Sequence, residues 1–347
     1  MATRVASMTE SGLLAALTVV MALIGVYVPF LGTVAVLMWP LPILVLVVRH
    51  GLKWGLMAIV VACVLTAALI EPMVSVRLAL AFAPGGIALG WGFRKGWSPV
   101  RTLTTGIVCS MAAKLAALSL LFALTGVEPF SSQFEIMEQS FDSSAEIYRS
   151  MGMNETQIEE SRTIFTENLA LVRLLLPLIV VMMGVMDTMV NHFFGGIVLR
   201  RLGHEVQTLP PFAEWRLPSV FVYLFGFSLV GAYWGSTRNI SLLYQASLNV
   251  SMLATFAGLI EGVSVYTYAS RHFRWPKFFA VAMMTFIMLN GFLLRLLCLV
   301  GLFDMVIDYR KRYWKKKSEE SRVKLFAYST LRSPHSALHT PHSTLHS

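Results

Sequence analysis

Nine apolar runs, most of them long enough to cross a bilayer, fill most of residues 12–307: 12–30, 33–48, 52–70, 75–93, 104–125, 169–199, 218–235, 240–269 and 277–307. The hydrocarbon core is about 30 Å thick and a helix rises about 1.5 Å per residue, so roughly 20 mostly apolar residues span it. Inside that core no water satisfies the backbone, which leaves helices and closed barrels as the spanning structures. Barrel strands would alternate apolar and polar residues, and these runs do not. The chain therefore predicts an all-α, polytopic helical membrane protein with about nine or ten membrane helices. Composition agrees: only 14% of residues are charged and 56% are hydrophobic, whereas a soluble domain carries about 25% charge to solvate its surface.

The first ten residues, Met1 to Glu10, lack the small-residue cleavage site of a removable leader, so the first run is expected to remain as a membrane helix. Cys63, Cys109 and Cys298 all fall inside apolar runs with no metal-ligand spacing. They read as small hydrophobes, and neither a metal nor a cofactor is expected.

The net charge of +9 is distributed unevenly. Residues 127–168 carry nine acids against Arg149 and Arg162. The basic clusters are Arg49 with Lys53, then Arg94, Lys95 and Arg101, then Arg200 and Arg201, then Arg271, Arg274 and Lys277. Basic loops stay cytoplasmic, and these clusters alternate correctly if the N-terminus is cytoplasmic and the acidic segment lies outside. The excess is thus a topology signal, and no nucleic-acid partner is expected. The run Arg310, Lys311, Arg312, Lys315, Lys316 and Lys317 breaks the alternation if 277–307 is a single span. A turn at Asn290-Gly291 would split that run into two short helices and return the tail to the cytoplasm.

Four regions follow. Residues 1–126 form a first membrane block of five helices, 127–168 an acidic extracytoplasmic segment, 169–307 a second membrane block, and 308–347 a basic, then low-complexity cytoplasmic tail. Within the acidic segment Phe134, Met137, Phe141 and Tyr148 recur at helical spacing. Asn154-Glu-Thr-Gln157 has the form of a capping box that opens a second helix. The tail repeats around His335, His339, His342 and His346 and reads as sequence outside the fold.

Charged residues in mid-span cost about 2.5–3.5 kcal/mol on insertion scales and are functional candidates for that reason. Lys114 lies in the fifth run, Asp187 and Asn191 in the sixth, Asn249 and Glu261 in the eighth, and Arg295 in the last. The simplest arrangement pairs Lys114 with Asp187 and Arg295 with Glu261; direct contact with a polar ligand is the other reading. Glu71 and Arg77 flank an outer loop and read as solvated loop residues; the other reading has Arg77 draw an anionic ligand inward. Two spans carry residues that disrupt helices: Trp39-Pro40-Leu-Pro42 in the second and Pro84-Gly85-Gly86 in the fourth. Proline removes a donor and frees carbonyls; either site reads as a kink without a binding role, or as a substrate site of the kind that transporters build at such breaks. Ligand-binding candidates are therefore Trp39, Arg77, Lys114, Asp187, Asn191, Asn249 and Glu261. On the first helix Gly12, Ala15, Ala16 and Ala22 offer a small-residue face for a partner helix, or for packing inside the protein.

The sequence contains no Walker A, H-E-x-x-H or G-x-S-x-G motif. No enzymatic activity is expected, and any ATP-driven transport needs a separate ATPase.

Gly51-Leu-Lys-Trp-Gly55, Pro84-Gly-Gly and the small-residue face of the first helix resemble the substrate-binding (S) components of energy-coupling-factor transporters. Asn191, Val198-Leu-Arg-Arg-Leu-Gly203, Leu209-Pro-Pro-Phe-Ala-Glu-Trp-Arg-Leu-Pro218, Gly301-Leu-Phe-Asp304 and Asp308-Tyr-Arg310 resemble the YybS-like family of bacterial membrane proteins over roughly residues 8–312. The second resemblance implies a multi-pass protein of the bacterial cytoplasmic (inner) membrane. The first implies an S-component-like N-terminal half, although typical S components have six spans and this chain has more.

Two functions are expected from different classes. One is a transporter subunit that binds a small molecule and is energised by separate ATPase and coupling subunits. The other is a non-transport scaffold or partner-binding protein of the cell envelope. In both, the lipid bilayer is the surrounding partner.

Overall fold

The computed structural model describes residues 2–126, 130–207 and 209–311. The basic run from Arg312 to Lys317 and the four tail histidines lie outside the described residues. The described residues are helical, with no strand among them. Among them, eight stretches are long and apolar enough to cross a membrane, and a ninth is a bent pair.

The chain forms two compact units, Met1–Pro210 and Pro211–Ser347. The first contains α1 (Ala2–Tyr27), α2 (Leu31–Leu37), α3 (Pro40–His50), α4 (Leu52–Leu69), α5 (Pro72–Arg94), α6 (Pro99–Thr125), α7 (Ser131–Ser150), α8 (Glu155–Leu174) and α9 (Leu176–Arg201). α2 and α3 together make one candidate span, so this unit holds six. Proline opens α3, α5, α6 and α9, at the position where its missing N–H is not needed.

α9 was expected to begin a second block, but it packs on α6, α3 and α5 and so joins the first unit. The intervening acidic segment is a helical hairpin of α7 and α8. Phe134, Ala145, Ile158 and Leu169 are buried within the first unit, and Phe141 stacks on Phe165 at 4.6 Å. Of the four residues that suggested amphipathicity, Met137 and Tyr148 stay exposed. Arg149–Glu155, Arg162–Asp142 and Arg173–Glu138 pair across the hairpin's surface. Asn154 caps α8, which stops just before Pro177 and α9.

The second span is broken, as its prolines predict. α2 ends at Leu37 and α3 begins at Pro40. The fourth span is not: α5 runs through Pro84 without interruption. Gly86 and Gly90 serve instead to admit α3, since a Cβ on either would stand 2.9 Å from the carbonyl oxygen of Pro40 or Leu44. Arg94, at the end of α5, donates to the carbonyls of Val47 and Val48 and closes the end of α3. On α1 the small residues divide. Ala15 and Ala22 are buried inside the unit, whereas Gly12 and Ala16 face outward. Only the last two remain open to a partner helix.

The second unit contains a 3-10 turn (Phe212–Glu214), α10 (Val220–Thr237), α11 (Ser241–His272), α12 (Lys277–Leu289) and α13 (Gly291–Ile307). α12 and α13 bend by 105° at Asn290, the expected break. The Asn290 side chain accepts from the N–H groups of Phe292 and Leu293, both at 3.1 Å, and so caps α13. α11 and α13 approach closely where Gly258 and Gly262 face Gly301.

Candidate functional site

Two buried polar clusters stand out, one in each unit. The first grows from the α2–α3 break. Leu41 N–H bonds to Met38 O instead of continuing the α-helical pattern, so Leu37 O is left over. Asn191 of α9 takes it at 2.8 Å. The Asn191 amide also bonds the backbone oxygen of Asp187 at 2.8 Å and its carboxylate at 3.1 Å. Asp187 in turn accepts from Ser110 Oγ at 2.8 Å and Lys114 Nζ at 3.0 Å. Lys114 donates as well to Ser110 Oγ at 2.9 Å and to Ala81 O at 3.4 Å on α5, and lies 4.5 Å from the centre of the Phe82 ring. Asp187 and Lys114 are 2% and 6% exposed. At that burial an unpaired charge is not tolerated, and each supplies the other's counter-charge.

Beside this cluster is a cavity of about 290 Å³ lined from α1, α2, α5, α6 and α9, with Phe130 also contributing. Lys114 lines its buried end. Arg77 lines it from an exposed position and, among the described residues, makes no hydrogen bond or ion pair. Trp39 is buried beside Phe82, their ring centres 6.5 Å apart, and is not among the cavity's lining residues. Its Nε1 has no hydrogen-bond partner among the described residues, and neither does Asn191 Oδ1. His192 packs on Phe93 at 4.9 Å, away from the ion pair's hydrogen bonds.

The second cluster corrects an expected pairing. Glu261 binds Arg310, not Arg295. Arg295 is exposed on α13, whereas Leu297, Cys298, Gly301 and Leu302 are buried. Arg310, assigned from sequence to the basic cytoplasmic tail, is 3% exposed. The chain turns back at Asp308, whose φ is +52°, and brings the guanidinium inward. All five of its N–H donors are used: Nε on Asp304 Oδ2 at 3.1 Å, Nη1 on Ala213 O at 2.9 Å and Ser264 Oγ at 3.1 Å, and Nη2 on Glu261 Oε1 and Asp304 Oδ2. The second oxygen of Glu261 accepts from Leu217 N–H at 2.9 Å. Ser264 donates to Phe212 O at 2.7 Å. The cluster therefore fastens residues 212–217 to α11 and to the end of α13.

Of the seven ligand candidates, Arg77 and Lys114 line the cavity, Asp187 and Asn191 support its buried end, and Trp39 stands beside Phe82. Glu261 is enclosed by the second unit's cluster, and Asn249 donates to Gln245 O on its own helix. Sequence reasoning missed Ser110, Asp304 and Ser264. Ser110 had a signal, one helical turn before Lys114 on the same face. Asp304 had one too, an acid at the edge of the last apolar run.

These features define an all-α integral membrane protein of multiple spans with ion-paired interiors. The chain belongs to the family described as Predicted membrane protein (DUF2232), whose model matches residues 16–305. It is 24% identical over 306 residues to the uncharacterized protein YybS of Bacillus subtilis (strain 168), across 88% of this chain and 98% of that protein. No solved structure matches it.

Proposed function

We propose that the protein is a small-molecule-binding transporter subunit of the bacterial cytoplasmic membrane, energised by separate ATPase and coupling proteins. The observation that carries this reading is the cavity in the first unit, with an arginine at its exposed part that is unpaired among the described residues, and a structured polar floor. Support comes also from span number: the first unit has six candidate spans, the number typical of the S components that the N-terminal half resembles. Sidedness supports it as well. Arg49 and Lys53, then Arg94, Lys95 and Arg101, then Arg200 and Arg201 flank one set of helix ends, while the cavity and the acidic hairpin flank the other. Retention of basic loops in the cytoplasm turns the cavity outward and places the N-terminus inside. The reading assigns the protein no chemical turnover of its own.

A second reading, a partner-binding scaffold of the envelope, draws support from the hairpin. Ile136, Ile147, Tyr148, Met151 and Ile164 are exposed there on a strongly acidic surface. One experiment separates the two: affinity purification from native membranes in mild detergent, with mass spectrometry of both proteins and small molecules. A stoichiometric metabolite, or ATPase and coupling subunits, is the expected result. Envelope proteins with an empty cavity would refute transport and favour the scaffold.

A further inference from the structure

The lining of the first unit's cavity is chemically one-sided. Arg77 and Lys114 are its charged residues, and the rest of the lining is glycine, alanine, valine, leucine, phenylalanine and methionine. A sugar or another ligand rich in hydroxyls would leave most of its polar groups against hydrocarbon, without partners. A cation would meet positive charge. The two basic residues are not equivalent either. Lys114 spends its three N–H donors on Asp187, Ser110 and Ala81, and Asp187 cancels its charge. Arg77 has neither a partner nor a counter-charge among the described residues, although Glu71 opens the same helix.

We propose that the cavity takes an amphipathic monoanion, with a single carboxylate or phosphate-type head on Arg77 and an apolar body against Leu78, Phe82 and Val180. The Lys114–Asp187 pair is then a neutral floor and not a second anchor. The inference rests on the reading of this cavity as a ligand site. About 290 Å³ lies just under the range of small-molecule pockets, which run from about 300 to 1,000 Å³, so the body is one ring or a short chain. Such chemistry has two sources, a free weak acid or the head region of an anionic lipid.

The test uses the full-length protein in nanodiscs of neutral phosphatidylcholine, with empty nanodiscs as the blank. The probes are ω-phenyl carboxylates from phenylacetate to phenylhexanoate, their uncharged amides, and the corresponding amines, followed by saturation-transfer NMR and calorimetry. At least one carboxylate should bind, with its amide and amine weaker by about tenfold or more, the scale of a charge-assisted hydrogen bond. Arg77→Gln should weaken the carboxylate by a similar factor, Arg77→Lys less, and the amide not at all. Val74→Trp, which fills the cavity, should remove binding of every probe, with circular dichroism checking that it remains folded. Competition by added phosphatidylglycerol would identify the anionic lipid as the natural source; lack of competition would identify the free acid. Equal binding of acid and amide that Val74→Trp abolishes would overturn the monoanion and leave the ligand site standing. No binding by any probe, or binding indifferent to both Arg77→Gln and Val74→Trp, would overturn the monoanion, and an empty cavity in protein taken from native membranes would then refute the ligand site as well.

Discussion

Removing the Lys114 ammonium tests whether the buried pair holds the first unit together. Lys114→Met keeps most of the side-chain volume and takes away three hydrogen bonds, to Asp187, Ser110 and Ala81. Asp187 stays, 2% exposed, without its cation. Removing one partner of a buried ion pair costs about 3–5 kcal/mol. Asp187 retains donors in Ser110 and Asn191, which places the expected loss near the lower end, about 3 kcal/mol, or roughly 100-fold in the folded-to-unfolded ratio. Asp187→Leu should cost somewhat less, because Lys114 lines the cavity and its ammonium can turn toward water there. The double variant carries no stranded charge. Its residual cost is the loss of partners for Ser110 and Asn191, about 1–3 kcal/mol. The two singles should therefore sum to more than the double by at least about 2 kcal/mol. Reversible unfolding by titrated SDS in mixed micelles, followed by circular dichroism, measures all four proteins. Additivity within about 0.5 kcal/mol would mean that the two residues do not act as a unit, and the structural account of the cluster would fail.

Three further outcomes are expected. Arg310→Ala strands Glu261 and Asp304 together, so folded yield should collapse by size-exclusion chromatography; Arg310→Lys, with three donors in place of five, should recover only part of it. Gly301→Ala places a Cβ 1.9 Å from Gly258 O, an overpacking expected to cost about 1–3 kcal/mol, measurable as a lower SDS midpoint. Partial burial raises the Asp308 carboxyl, but hydrogen bonds from Lys311 and Arg216 outweigh it and hold the group below its ordinary 3.8. A carboxyl depressed on folding stabilises the protein above its unfolded value and loses that contribution as pH falls through the folded one. The stability difference between wild type and Asp308→Asn should thus be constant from pH 7 down to about 5 and shrink below about 4; a difference that grows on acidification would refute the assignment.

How much of this was legible in the sequence depends on the range of the interaction. Apolar run length is local, and it located the spans; the break at Asn290 came from the alternation of basic loops and the Asn290-Gly291 turn. Cost of burial is also local, and it marked Lys114, Asp187, Asn191 and Glu261 as residues that need partners. Opposite sign within adjacent spans was enough to pair Lys114 with Asp187. The same rule failed for Glu261, because the nearer basic residue in sequence, Arg295, lies on the outward face of α13, and the true partner follows a left-handed turn at Asp308 that hydropathy does not register. The acidic hairpin hid the membership of α9 for a related reason. An insertion of two helices separates α9 from α6 in the chain but not in space, and the Lys114–Asp187 pairing was the sequence signal that joins them. Pro84-Gly85-Gly86 shows the converse error. Its residues argued for a break or a kink, yet α5 runs on through the proline, and glycine's lack of a side chain serves to bring α3 close. Motif residues in a membrane helix therefore carry two meanings, freed backbone or close approach. The neighbouring helix decides between them, and a single sequence does not name that neighbour.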